Sequence, residues 1–296
     1  MAELDWSLYW FMLPVATMVT TTAMLSGTGG ATYFTPIFLV VLPLLGPQYP
    51  LQSMAASIGA ALLTMVFGFS SGFIGYWRRH LIDYRSALPF IAIAVPVACA
   101  GALMLAALKS YDGALIGVYA CLMLVVAGIL GRRGAPSPQQ SGGVAQAPAT
   151  ASRSLTTSGG ETFRYKQPRL GPFGAAVTAV GAFLTGLLGV GIGESLMPQL
   201  VKRNSVPLPV AAGISVFTVI LTIICASAVQ VASLGAAEIP WNLVCYTIPG
   251  VIIGGQIGPR LQGRVPQRVM ERVIATLFSG IAAAMAWIAL RKLGLI

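Results

Sequence analysis

Long apolar runs that are almost free of charge dominate the chain, and they constrain its fold more than any other feature. Only 9% of the 296 residues are charged, against roughly 25% in ordinary soluble domains. A helix that crosses a bilayer needs about 20 apolar residues. The runs cover residues 8–46, 51–76, 86–108, 113–131, 171–201, 207–235, 241–259 and 273–290. We therefore expect an all-α polytopic protein of the cell (inner) membrane, with the lipid bilayer as its solvent.

The runs form two groups of four, separated by residues 132–170. This interval is rich in Pro, Gly, Ser and Ala and has little that would build a core, which is typical of a flexible linker. The sequence thus predicts a first membrane repeat over residues 1–131, a flexible linker over 132–170 and a second membrane repeat over 171–296.

The two groups resemble copies of one unit. Gly27, Gly29 and Pro36 match Gly189, Gly191 and Pro198 at a constant offset of 162 positions. The stretch at 82–84 further matches the stretch at 239–241, with small insertions absorbing the drift. Self-similarity of this kind indicates an internal duplication.

Positive charge in the gaps between runs sets the expected orientation. Lys and Arg lie mainly in the gap at 77–85, in the linker and in the gap at 260–272, and such charges favour the cytoplasmic side. The N-terminus is then expected outside and the linker inside, so the two copies have opposite orientations. Inverted repeats are common in secondary transporters. The net charge of +10 is interpreted as a topology signal, and no nucleic-acid partner is expected.

Each copy opens with an apolar run that glycines interrupt. Under the expected topology this run enters and leaves on one side, as a re-entrant segment or a hairpin, beside three membrane-spanning helices. Irregular backbone at membrane depth is tolerated where it lines a cavity, and the helix after it presents free amides and a positive dipole end. We predict an anion site there, with candidate binding residues Thr28, Gly29, Gly30, Thr32, Gly191, Gly193, Ser195 and Gln199. Close helix packing is the alternative explanation for the glycines.

Glu194 is the acidic residue that lies clearly inside an apolar run. Ionisable groups at membrane depth are costly and mark functional sites, so Glu194 is the candidate carrier of a coupling proton. A structural partnership with Lys202 or Arg203 is an equal alternative. A carboxylate beside an anion site repels the substrate unless it is protonated.

Other motifs favour structural roles. Gly250, Gly254 and Gly258 form one stripe of small residues, and Gly68 with Gly72 forms another, which predicts close helix packing. The four cysteines stand singly in apolar runs and the chain has one histidine, so we expect neither a metal site nor a cofactor. An enzyme needs clustered His, Cys or carboxylate groups, and the sequence does not favour one.

The order of these motifs resembles the TauE/SafE sulfite-exporter family, also called the 4-toluene sulfonate uptake permeases. The likeness spans nearly the whole chain outside the linker. It rests on the Gly-rich turns that lead to Pro36 and Pro198, on AAGIS at 211–215 and on GGQIGPRLQGRVP at 254–266. The residues that depart from the family pattern are Ala31, Ile192 and Ile214.

The resemblance implies secondary transport of a small sulfur-containing anion, such as sulfite, thiosulfate or an organosulfonate, by alternating access. Ser215, which ends the AAGIS stretch, joins the candidate binding residues. A passive anion channel and a non-transporting membrane assembly factor are the alternatives. The coupling ion, a proton or sodium, stays open, as do the direction of transport and the formation of a homo-oligomer.

Overall fold

The computed structural model describes residues 8–26, 30–46, 48–49, 53–131, 153–235, 239–261, 276, 279–288 and 290. The helices are α1 (Met12–Ser26), α2 (Ala31–Pro36), α3 (Leu42–Leu45), α4 (Met54–Arg78), α5 (Tyr84–Leu108), α6 (Asp112–Gly131), α7 (Pro172–Leu188), α8 (Ile192–Pro198), α9 (Leu208–Leu234), α10 (Trp241–Leu261) and α11 (Ser279–Ile288). Two π-helical segments, π1 (Ile37–Val41) and π2 (Gln199–Arg203), continue α2 and α8. Two strands, β1 (Arg153–Thr156) and β2 (Thr162–Tyr165), pair between α6 and α7.

The long apolar runs form the long helices. Within the described ranges, α4, α5 and α9 are long and apolar enough to cross a bilayer. Two of them begin at a side chain that satisfies a free backbone amide: the Ser53 hydroxyl accepts from the Ala56 amide before α4, and the Asp83 carboxylate accepts from the Ser86 amide before α5. The structure therefore has the mostly helical character expected of a multi-pass membrane protein.

Small residues bring the helices close together. α1 packs on α10, α5 packs on α7 and α9, and α4 packs on α9 and α10. Gly250 and Gly254 of α10 lie so close to the carbonyls of Leu13 and Thr17 in α1 that a side chain at either glycine would collide with backbone. The predicted role of this stripe in helix packing is confirmed.

The region predicted as a linker contains a folded β-hairpin. β1 and β2 pair antiparallel, with Arg153 opposite Tyr165. Tyr165 is 2% exposed and packs among apolar side chains of α5, α8 and α9. Within the predicted linker, residues 153–165 thus form a hairpin that packs on the helices. Residues 132–152 of the predicted linker lie outside the described residues.

Asp83 anchors this hairpin to the helices. Its buried carboxylate forms an ion pair with Arg153 at 2.5 Å and accepts hydrogen bonds from the Tyr165 hydroxyl at 2.8 Å and the Ser86 hydroxyl at 2.5 Å. Burial alone would raise the pKa of Asp83, but these hydrogen bonds and the charge of Arg153 outweigh it and lower the pKa. Burial, followed by the hydrogen bond to Asp83, raises the pKa of Tyr165. The carboxylate therefore stays charged and holds the hairpin in place.

Candidate functional site

The two Gly-interrupted segments contain the same break. α2 ends at Pro36 and continues as π1, and α8 ends at Pro198 and continues as π2. Proline has no N–H to donate to the preceding turn of the helix. In both copies the α-helix changes to a wider π-helix directly after it. At the end of each π segment a backbone N–H bonds to the carbonyl five residues earlier, Leu42 to Ile37 and Asn204 to Gln199. These positions are all 162 residues apart, so the duplication in the sequence extends to the backbone.

Thr32 and Glu194 occupy equivalent positions in the two copies and contact each other directly. The Thr32 hydroxyl donates to Glu194 Oε1 at 2.8 Å across the offset of 162 residues. Thr32 is fully buried, and its backbone carbonyl accepts from the Tyr119 hydroxyl of α6 at 2.9 Å. The starts of α2 and α8 therefore meet inside the protein, with the Glu194 carboxylate between them.

Glycines build the turn that leads into α8. Gly189 and Gly191 have φ values of +77° and +137°, which side-chain-bearing residues rarely adopt. A Cβ on Gly191 would lie 2.7 Å from the Gly181 carbonyl oxygen of α7. Both the backbone conformation and the close approach to α7 therefore require glycine at position 191.

The first backbone N–H groups at the start of α8 already donate hydrogen bonds to side chains of the protein. The Gly191 N–H donates to Glu194 Oε2 at 3.0 Å, and the Ile192 N–H donates to Thr185 Oγ1 at 2.8 Å. The Thr185 hydroxyl in turn donates to the Gly181 carbonyl at 2.8 Å. Glu194 thus caps its own helix, and its carboxylate lies where the sequence predicts a bound anion.

A small cavity lies between the two segments. Gly30 and Ala31 of the first copy line it together with Gly191, Gly193 and Glu194 of the second, and apolar side chains of α4 and α9 complete the wall. Its volume is about 10 Å³, close to the smallest volume that holds one water molecule. A ligand larger than water therefore does not fit into the cavity in this structure.

The structure brings part of the predicted site together. Gly30, Gly191, Gly193 and Glu194 line the cavity, and Thr32 is bonded to Glu194. Lys202 and Arg203 were the predicted structural partners of Glu194. The Arg203 guanidinium carbon lies 5.1 Å from the centroid of the Phe173 ring. The side chain of Lys202 is not among those described. The placement favours a role for Glu194 at the junction of the two copies.

The other predicted residues lie away from the cavity lining. The Ser195 hydroxyl bonds to the Ile192 carbonyl, the Gln199 amide reaches the Thr178 hydroxyl at 3.4 Å, and Ser215 is buried within α9. Thr28 and Gly29 fall outside the described residues.

Thr185, Met65 and Tyr119 contribute to the site although the sequence did not single them out. Thr185 ties α7 to the start of α8, Met65 lines the cavity beside Gly30, and Tyr119 holds the carbonyl of Thr32. A hydroxyl inside an apolar run was a usable signal for Thr185 and Tyr119, because buried polar groups need partners. Met65 had no such signal.

Comparisons with known proteins identify relatives of this chain. The family model described as sulfite exporter TauE/SafE matches residues 12–285. The chain is similar to the probable membrane transporter protein YunE of Bacillus subtilis (strain 168), with 22% identity over 255 residues that cover 86% of this chain and 88% of that protein. No solved structure matches the chain. The resemblance found in the sequence is thereby confirmed, and the chain belongs to the sulfite exporter TauE/SafE family of membrane transporters.

Proposed function

We propose that the protein is a secondary transporter that moves a small sulfur-containing anion, such as sulfite, thiosulfate or an organosulfonate, by alternating access. The observation that carries this proposal is the hydrogen bond between Thr32 and Glu194, equivalent positions of the two copies, beside a cavity that both copies line. Transporters built from structural repeats bind their substrates at the repeat interface near the middle of the membrane.

The proposal includes opposite orientations for the two copies, each with a re-entrant segment. The loop charges support this arrangement. The length of the second segment supports it as well, because α8 and π2 together run from Ile192 to Arg203 and cover about 18 Å at 1.5 Å per residue. That length is well short of the hydrocarbon thickness of about 30 Å.

Protonation of Glu194 would let a substrate anion replace its carboxylate as the acceptor at this site. While charged, Glu194 holds the Gly191 N–H and repels another anion. Protonation neutralises it and weakens this bond, because a neutral acceptor binds an amide less strongly than a carboxylate. The Gly191 amide and the Thr32 hydroxyl are then available to the substrate. Anion and proton binding are therefore coupled, and each raises the affinity for the other.

Flux measurements in proteoliposomes test the assignment. We expect uptake of radiolabelled sulfite or thiosulfate that exceeds uptake of acetate and sulfate and that increases as the pH falls. Accumulation against the anion's own gradient, driven by an imposed pH gradient, separates a coupled carrier from a passive channel. Absence of flux for sulfite, thiosulfate and organosulfonates, in protein that unfolds cooperatively, would overturn the substrate assignment.

A further inference from the structure

A second buried polar position lies where α4, α7 and α9 meet, outside the cavity described above. Gln230 of α9 is 1% exposed, and its Nε2 donates to the Gly186 carbonyl of α7 at 2.8 Å. This bond fixes the amide orientation, because a carbonyl oxygen accepts only from the NH₂ group. The Gln230 Oε1 atom therefore points elsewhere, and among the described residues it has no hydrogen-bond partner.

Ser227 extends this position by one helical turn. It is 3% exposed, and its hydroxyl also lacks a partner in the part of the chain that the structure describes. Residues three positions apart lie on the same side of a helix, so Ser227 and Gln230 present two buried oxygens from one face of α9. Buried polar atoms are almost always satisfied, and a bound water or ion is one explanation for an exception.

The chemistry of this position fits a cation. Gln230 offers an acceptor oxygen, and Ser227 offers a hydroxyl that also accepts. Gly186 lies in the last turn of α7 (Pro172–Leu188), the end of a helix that carries negative partial charge. Neutral oxygen ligands are those of hard cations, and in the absence of a ligating carboxylate they favour a monovalent ion over a divalent one. We propose that Gln230 and Ser227 are ligands of a sodium ion that accompanies the transported anion, an inference that rests on the proposed function.

Gly59 of α4 leaves space beside this position. A Cβ at Gly59 would lie 3.8 Å from Gln230 Oε1 and 3.7 Å from Leu234 Cδ1, both ordinary van der Waals distances. A methyl group therefore fits there without a clash with the protein. It would, however, contact Oε1, and we expect it to exclude an ion from that side of the oxygen.

The proposed ion site lies in line with the anion cavity. Val219, Ile223, Ser227 and Gln230 are spaced four, four and three residues apart and share one face of α9, and the first two line the cavity. Gln230 is seven residues beyond Ile223, about 10 Å along the helix axis. A cation at that distance attracts an anion in the cavity, so each ion is expected to raise the affinity for the other.

Thermal unfolding in detergent, without any substrate anion, tests the site directly. In the wild-type protein we expect the Tm to rise saturably, by about 2–4 °C, when sodium chloride replaces choline chloride at constant ionic strength. Gly59→Ala is expected to keep the Tm in choline and to lose the sodium-dependent rise. Gln230→Ala should lose the rise as well.

Ser57→Ala is the matched control. The Ser57 hydroxyl is also buried without a partner among the described residues, but Ser57 shares a face of α4 with Thr64, which bonds to Thr247 of α10. The rise should persist in this variant.

Equal Tm values in sodium and choline, or a rise that persists in Gly59→Ala, would overturn the sodium site. Sulfur-anion flux without sodium dependence would overturn the site and leave the proposed function intact. A sodium-dependent rise that Gly59→Ala abolishes, in protein that moves no sulfur anion, would keep the site and overturn the proposed function instead.

Discussion

The two interrupted helices, α2 with π1 and α8 with π2, have the same backbone geometry but carry different side chains where they meet. Both have a proline followed by a π segment, at positions 162 residues apart. At the point of contact the first copy supplies the neutral hydroxyl of Thr32, and the second copy supplies the carboxylate of Glu194. Both copies thus contribute the same backbone arrangement, while the titratable group at the junction comes from the second copy.

A similar contrast separates the loops before α5 and α10. The first copy has Asp83 there, which caps α5 and binds the hairpin through Arg153 and Tyr165. The aligned position in the second copy is Pro240, which has no side-chain acceptor. The hairpin is therefore anchored to the loop of the first copy, and its Tyr165 reaches α8 and α9 of the second.

Substitution of the glycines at the two turns should give the largest difference in stability between the two copies. Gly191→Ala forces a side chain onto a φ of +137° and against the Gly181 backbone, and we expect a loss of about 3 kcal/mol or more in the free energy of unfolding. Gly30→Ala should cost much less, because φ is −63° and the obstacle is the flexible end of Met65. Denaturant unfolding in detergent measures both, and equal losses would contradict this reading of the turns.

Removal of the hydroxyl at the junction should weaken the contact between the copies. Thr32→Val deletes a hydrogen bond to a carboxylate, and we expect a loss of about 2 kcal/mol in the free energy of unfolding. A double-mutant cycle with Glu194→Ala isolates the pair, because alanine has no acceptor for the Thr32 hydroxyl. Coupling near zero between the two substitutions would show that the bond does not join the copies energetically.

Thr185 should matter more than other buried threonines. Thr185→Val leaves the Ile192 N–H without its acceptor, for an expected loss of about 1–2 kcal/mol. Thr222→Val is the control, because the Thr222 hydroxyl donates to the Thr218 carbonyl of its own helix, and this change should cost less than about 1 kcal/mol. The equivalent position of Thr185 in the first copy is Ala23. Comparable Tm values for the two variants would refute the special role of Thr185.

The hairpin anchor should give a smaller, pH-dependent effect. The pKa of Asp83 is lowered in the folded protein, so its contribution is fully present above the unfolded-state pKa of about 3.9 and is lost as the pH falls through the folded-state value. Asp83→Asn should lower stability by about 1 kcal/mol at neutral pH, and this difference should shrink below about pH 4. Tm measured from acid to neutral pH checks this, with Glu161→Gln on the exposed hairpin turn as the control. A difference that does not depend on pH would contradict the charged anchor.

Much of the helical framework was predictable from hydropathy. The runs at 51–76, 86–108 and 207–235 became α4, α5 and α9 with shifts of a few residues, because an apolar stretch of that length has one stable form in lipid. The glycine interruptions also marked where the helices break, since the turn at Gly189 and Gly191 requires positive φ.

The hairpin and the details of the site were not predictable in the same way. The hairpin depends on distant partners of Arg153 and Tyr165, and its local composition resembled a linker. The bond between Thr32 and Glu194 depends on how two segments 162 residues apart come together. Ser195 and Gln199 follow the turn in the sequence, but their side chains lie against α7 and not at the cavity.

Anion flux as a function of pH, measured in the wild-type protein and in Glu194→Gln, tests the central role of this junction most directly. We expect wild-type uptake of sulfite or thiosulfate to rise as the pH falls. In Glu194→Gln, whose side chain mimics the protonated state, uptake should continue but lose most of its pH dependence, while Glu161→Gln keeps the wild-type profile. A Glu194→Gln profile with the same pH dependence as the wild-type protein would contradict the proposal that protonation of this carboxylate promotes anion binding.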